Sequence, residues 1–333
     1  MTSPLIVLHL KASTNHMSFR PSIPSVEQVE KSFREIQIDE WNKMDCTQVQ
    51  DYVKKLDEFF VAQFGFIFRT LRITNSNNLP QKVYRVRKYD TSINAGLISE
   101  FSHPPASSTK TAQRANLPYH PVFYCAPSAH TALIETLKYS YTEGEANSFF
   151  LSEWCFRKDQ PIYVTPFMYG KYDKVDLYNI IREKSAEEFI AKIPDITNEE
   201  VKSLNKIFEF VSSLFEYEDS HAISGYLGHS HLYASSNLRT DVFIYPSIQT
   251  GKAAMNFAIH PNAVLHKLFL NRVFLIQIVD YKLDKNKGRA TFHLKIEDRL
   301  GINNQHGYMT WRNLPNEDLI DFEALFPKHE LTT

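Results

Sequence analysis

The sequence predicts an α+β fold. Short strand-like runs come in clusters, and the helices between them do not alternate with them regularly, which argues against a doubly wound sheet. Only 10 of the 333 residues are glycine, and neither GxGxxG nor a GxxxxGK loop occurs, so the phosphate-binding turns of nucleotide-binding parallel sheets are missing. The pattern also changes near residue 80, from helical spacing before it to alternating spacing after it.

In chain order, residues 1–24 are mixed, end in PSIP and read as an extended or weakly ordered segment. SVEQ at 25–28 and TQVQ at 47–50 have the form of capping boxes and predict helix starts. Val49, Val53, Leu56, Phe60 and Phe64 then follow a three-or-four spacing, one face of an amphipathic helix. This makes 1–80 a helical N-terminal extension, and 81–330 the main domain. KVYRVRKY alternates as a strand does; 91–120, rich in Ser, Thr, Pro and Ala, reads as loop. PVFYCA predicts the next strand, and Ser128 caps a helix to about residue 139 with Leu133 and Leu137 on one face. FFLSEWCF and PIYVTPF predict two more strands. Residues 171–217 read as a helical insertion, with a third capping box, TNEE at 197–200, and a stripe of Val201, Leu204, Phe208, Val211 and Phe215. DVFIYPS, AAMNFAI, VFLIQIV and ATFHLKI complete the strands.

Composition sets further bounds. With 43% hydrophobic residues the chain can bury a sizeable core, and a net charge of -1 disfavours a general nucleic-acid binder. Cys46, Cys125 and Cys155 are isolated and read as reduced thiols, as in the cytoplasm. PLIVLHL is too short for a secretory core and lacks a basic leader; VFLIQIV, broken by Gln277 and followed by Asp280, reads as a buried strand and not a membrane span. His229 and His231 bracket a serine, but GYLGHSHLYASSNL reads as helix and turn with no carboxylate at ligand spacing, so no metal is expected. Cys125 has no paired histidine motif, and Lys285, Lys287 and Arg289 read as a solvated basic turn.

Four segments carry candidate chemistry: VYRVR, RANLP, VFYCAPSAHTALIET and IYPSIQTGKAAMNFAIHP. Here the chain resembles the RES-domain family, named for an arginine, a glutamate and a serine. An aromatic-Arg pair on a strand is matched by Tyr84-Arg85, and an Arg-x-Asn element by Arg114-Ala115-Asn116. A strand tyrosine with a helix glutamate eleven residues on is matched by Tyr124 and Glu135; a Pro-Ser step and an Asn before a proline are matched by Pro246-Ser247, Asn256 and Pro261. The resemblance covers roughly residues 82–270 in order. It departs from the family at Gln113, where a glycine commonly precedes the arginine, and in the long gap between Glu135 and Ser247.

The resemblance implies an ADP-ribosyltransferase-like mixed or antiparallel β core with flanking helices, and cleavage of NAD between nicotinamide and ribose, to water or to phosphate. NAD is then a substrate, and no cofactor is implied. A helix-turn-helix antitoxin partner of a toxin is implied too, with room for a homo-oligomer, and neither a membrane nor direct nucleic-acid contact. The alternatives are ADP-ribose transfer to a macromolecule, or a non-catalytic nucleotide-binding or interaction protein. The residue types suit the reaction. Glu135 would stabilise an oxocarbenium-like ribose. Arg85 and Arg114 would bind the pyrophosphate in a bidentate way. Tyr124 would stack on nicotinamide. Ser247 would bond the ribose or nicotinamide side, Asn256 would hold that serine's loop or touch the dinucleotide, and Tyr84 and Asn116 belong to the same binding set. Each residue also has an ordinary reading. Arg85 and Arg114 suit a solvated surface, Tyr124 suits core, Glu135 the outside of an amphipathic helix, Ser247 a turn, and Asn256 local backbone bonding.

Overall fold

A computed structural model describes residues 22–35, 44–45, 47–64, 72–145, 147–167, 190–191, 193–217, 221–234, 239–250, 254–284, 289–304 and 307–326. It is an α+β protein. In chain order the elements are α1 (Val26–Glu35), α2 (Val49–Phe64), β1 (Arg72–Asn75), β2 (Lys82–Lys88), β3 (Phe123–Cys125), α3 (Ala129–Ser140), β4 (Asn147–Phe156) and β5 (Pro161–Pro166). There follow α4 (Asn198–Tyr217), α5 (Ala222–Leu232), β6 (Val242–Pro246), β7 (Met255–Ile259), α6 (Pro261–Lys267), β8 (Leu268–Asp284), β9 (Arg289–Asn303), β10 (Met309–Arg312) and α7 (Asn316–Glu323). No described helix is long and apolar enough to cross a membrane.

The compact units interleave along the chain instead of dividing near residue 80. The first comprises 1–74, 105–122 and 162–244; the second comprises 75–104, 123–161 and 245–333. In the first unit two of the three capping boxes form. Ser25 and Gln28 bond reciprocally at 2.8 and 3.2 Å, as do Thr197 and Glu200 at 2.8 and 3.2 Å. TQVQ does not form one, because Asp45 lies two residues upstream and takes both the backbone N–H and the hydroxyl of Thr47, at 2.9 and 2.5 Å. The apolar stripe of α2 turns Tyr52 inward where the spacing suggested Val53. The N-terminal helices pack on the later ones: Phe33 stacks on Phe210 at 4.0 Å, Lys206 meets Glu30 at 2.6 Å, and the Tyr226 hydroxyl donates to Asp57 at 2.5 Å. Residues 171–189 of the expected helical insertion, like residues 1–21 and Lys285 and Lys287, lie outside the described residues.

GYLGHSH folds as α5, and its glycines explain where the Arg-x-Asn turn sits. Gln113 and Asn116 close that turn with reciprocal backbone bonds of 2.9 and 3.2 Å, leaving Arg114 and Ala115 at the tip. A Cβ on Gly228 would stand 2.4 Å from the Ala115 Cα, and one on Gly225 2.9 Å from the Asn116 carbonyl oxygen. Only a helix bare at these two points lets the backbones approach so closely.

The second unit is built on one antiparallel sheet of order β10-β9-β8-β4-β2. VFLIQIV is the middle of a strand of 17 residues and ATFHLKI the first half of one of 15, both longer than the alternation suggested. A core of Leu133, Leu137, Phe149, Leu151, Phe274 and Phe292 joins α3 to the sheet. Inside it Glu153, fully buried, accepts from Lys82 and the Tyr84 hydroxyl at 3.2 Å each, from Asn271 at 2.6 Å and from Arg272 at 3.3 Å. Arg272 reaches on to Asp318 and Asp321 of α7 at 2.6 and 3.1 Å. Burial alone would push the Glu153 carboxyl up, but the Asn271 bond and the charges of Arg272 and Lys82 outweigh it and hold it below the ordinary carboxylate value.

Two outcomes follow. Gly228→Ala forces α5 off the 113–116 turn and is expected to cost about 1–3 kcal/mol in denaturant unfolding. Glu153→Ala leaves Arg272 buried with its network broken and is expected to cost about 3–5 kcal/mol. Because the folded pKa of Glu153 is lowered, its stabilisation is present above the unfolded carboxylate value and disappears as pH falls through the folded one. Unfolding midpoints of wild type and Glu153→Gln should therefore differ at pH 7 and converge towards pH 3.

Candidate active site

Glu135 lies in the middle of α3, whose start is fixed by the Ser128 hydroxyl accepting from the Thr131 N–H at 3.4 Å. Its carboxylate is met by two residues far along the chain. The Ser247 hydroxyl donates to Oε1 at 2.6 Å, and the Asn256 amide donates to the same oxygen at 2.8 Å. Ser247 is fully buried and Asn256 is 6% exposed, whereas Glu135 is half-buried. Ser247 directly follows β6, and its backbone is held by an N–H bond to the Ala254 carbonyl at 2.9 Å and by the Thr250 hydroxyl on its own carbonyl at 3.1 Å. Asn256 sits on β7, so both donors ride on the β6–β7 connection while α3 supplies the acceptor. Among the described residues, Oε2 of Glu135 has no hydrogen-bond partner. Each bond to the carboxylate contributes about 1–3 kcal/mol.

Tyr124 joins this cluster through the sheet. β3 pairs with β7 in antiparallel register, Tyr124 opposite Ala258. Paired and alternate residues share a face, so Tyr124, Ala258 and Asn256 look the same way. The carbonyl of Tyr124 links to a second cluster: it accepts from Arg85 Nη1 at 3.1 Å, and the guanidinium lies 5.4 Å from the Phe123 ring centre. Among the described residues no carboxylate faces Arg85, and its Nε is buried without a partner. Burial, with the charge of Arg87 adding to it, lowers the Arg85 pKa to about 10.

The remaining candidates are placed differently. Tyr84 is 5% exposed, with its hydroxyl on Glu153 and its backbone paired with Ala126. Alternation puts it on the opposite face of β2 from Arg85. Arg114 and Asn116 belong to the first unit, where the Asn116 amide donates to the Leu117 carbonyl at 3.0 Å. His229 and His231 are buried in α5: His229 packs edge-on to His120 at 4.5 Å, and His231 Nδ1 meets the Leu227 carbonyl at 2.7 Å. Among the described residues no three His, Cys, Asp or Glu side chains gather as metal ligands. Cys125 is buried, and burial pushes its thiol far up, away from nucleophilic use.

Tyr281 escaped the sequence reading. Its hydroxyl is buried without a partner among the described residues, and its ring lies 5.4 Å from that of Tyr141, the residue that ends α3. Burial and then the charge of Glu135 push its pKa up. It stands past the apolar run VFLIQIV, between Asp280 and Lys282, where no apolar or alternating signal marks it.

The chain matches no family model and no curated protein.

Ser247 and Asn256 act on one oxygen, so their effects are coupled. Ser247→Ala and Asn256→Ala should be non-additive in a double-mutant cycle of unfolding free energies, by roughly 0.5–3 kcal/mol. Strict additivity would mean that the two bonds are independent.

Proposed function

We propose that the chain is a RES-type, ADP-ribosyltransferase-like enzyme that splits NAD between nicotinamide and ribose, with NAD as substrate. The observation that carries this is the Glu135 carboxylate, with Oε1 engaged by Ser247 and Asn256 and Oε2 without a hydrogen-bond partner among the described residues. A carboxylate that is fixed on one side and has unused acceptor capacity on the other suits a sugar that becomes cationic.

The reaction asks little more of the protein. The C1′–N bond breaks with its electron pair passing to the nicotinamide ring, which leaves neutral and needs no acid. Positive charge grows on the ribose, and Glu135 stabilises it and holds a ribose hydroxyl through Oε2. Water adds at C1′ and gives up a proton, yielding ADP-ribose; a phosphate oxygen adding there yields the phosphorylated sugar. Tyr124, on the face of Asn256, offers its ring to nicotinamide. Arg85 offers guanidinium donors to the pyrophosphate. In this reading Tyr84, whose hydroxyl is engaged on Glu153, positions Arg85 from the opposite face of β2.

The test is release of nicotinamide from NAD, followed by chromatography at several phosphate concentrations. Glu135→Gln should lower kcat by about 100-fold or more, and Arg85→Ala should act mainly by raising KM. Release that depends on phosphate marks phosphorolysis; ADP-ribose found on protein marks transfer to a macromolecule. If the wild-type protein releases no nicotinamide while it binds the dinucleotide, the enzyme assignment is wrong and a binding role replaces it.

A further inference from the structure

Arg85 stands in a closed circuit of contacts. β2 pairs with β4 so that Arg85 lies opposite Ser152. Cross-strand partners share a face, and so do residues two apart on a strand, so Arg85, Ser152 and Trp154 look the same way. The Ser152 hydroxyl donates to the Arg85 carbonyl at 3.0 Å and accepts from the Trp154 indole N–H at 3.2 Å. Trp154 packs edge-on against Phe123, with ring centres 5.2 Å apart. Phe123 comes from β3, and the Arg85 guanidinium lies over its ring at 5.4 Å. From there Nη1 of Arg85 reaches the carbonyl of the next residue on β3, Tyr124, at 3.1 Å. The circuit thus runs from the arginine backbone through Ser152, Trp154 and Phe123 back to the same arginine's guanidinium. Ser152, Trp154 and Phe123 are buried, and Arg85 is the one member of the four that is not fully enclosed.

An aromatic face holds a guanidinium differently from a carboxylate. An acid orients the cation and also cancels its charge, as Glu100 does for Arg87. A ring attracts the cation through its quadrupole, more strongly away from water, and leaves the N–H donors around the guanidinium edge available. Arg85 uses one of those donors on Tyr124, and among the described residues the others have no partner. Arg272 gives the contrast: it also lies over a ring, that of Phe274 at 5.1 Å, but three carboxylates claim its donors.

We propose that Trp154 and Ser152 are positioning residues for Arg85: they fix its backbone and the Phe123 ring beneath its guanidinium, so that a cation without a counter-acid is held ready for an anion. This rests on the NAD reading for the identity of the anion, the pyrophosphate, and on the circuit of contacts for the positioning. Neither residue touches the ligand. A guanidinium already held in place loses less rotamer freedom on binding, so its ordering costs less.

The probes are ADP-ribose and inorganic pyrophosphate, titrated calorimetrically into the full chain at fixed pH and salt. Trp154→Phe keeps an aromatic ring and removes the N–H; Ser152→Ala removes the hydroxyl that links Trp154 to Arg85. Each should weaken both probes by roughly threefold to tenfold. Each substitution is then repeated in Arg85→Ala, with ADP-ribose as the probe because its sugar and base contacts do not need the arginine. Acting through the guanidinium, neither substitution should weaken binding further by more than about twofold in that background. A merely structural role lowers affinity by the same factor in both backgrounds, and that result overturns the proposal. Unchanged affinity in both single variants, wild-type affinity in Arg85→Ala, or binding of neither probe by the wild-type chain overturns it too. Unfolding midpoints on the same preparations identify a variant that has not folded; Ser152→Ala, the smaller change, then decides. Nicotinamide release keeps the two ideas apart. The two variants should raise KM and leave kcat unchanged. Release with KM and anion affinity unmoved by either variant removes the positioning role alone. Pyrophosphate binding that weakens in both variants, without any release, removes the enzyme reading alone.

Discussion

The site depends on one oxygen of one carboxylate. Oε1 of Glu135 takes two hydrogen bonds from the β6–β7 connection, and neither donor is near it in sequence. This join couples α3 to the strands and fixes the glutamate rotamer without spending its second oxygen. The supports are ordinary: a serine cap at the start of α3, and antiparallel pairing of β3 with β7. A half-buried glutamate on a helix whose neighbours are apolar needs such partners, since an unsatisfied carboxylate there is strongly unfavourable.

A comparison within the same unit separates function from architecture. Glu153 is the more conspicuous carboxylate, buried and met by four side chains. Arg272 is the more conspicuous arginine, facing Glu153, Asp318 and Asp321. Together they fasten α7 to β4 and β8, and their polar atoms are almost all spoken for. Glu135 and Arg85 are poorer in partners and richer in unused acceptors and donors. A network that satisfies itself holds the fold; a group fixed on one side and unsatisfied on the other has capacity for a ligand. Spare capacity, not burial or charge, singles out Glu135 and Arg85.

Much of this was legible in the sequence, and the exceptions have physical causes. The strands after residue 80, the Ser128 cap and two capping boxes follow from alternation and local hydrogen bonding, which short windows contain. The meeting of Glu135 with Ser247 and Asn256 had no local signal; it was read from the order of four weak segments. Tyr84 was drawn into the binding set because it adjoins Arg85, although neighbours on a strand face opposite ways. Its partner Glu153 looked like one polar interruption in FFLSEWCF, because the residues that neutralise it come from β2, β8 and, through Arg272, α7.

Net charge bears on one question and is silent on another. A balance of -1 over 333 residues disfavours a protein that must coat a polyanion. A dinucleotide needs only a local field. Two unit charges 4 Å apart interact by about 4 kcal/mol at an effective dielectric of 20, against about 1 kcal/mol in bulk water. One guanidinium set without a counter-carboxylate in a partly buried position can therefore outweigh many solvated lysines. That is the situation of Arg85, whose nearest cationic neighbour already has its own acid, Glu100.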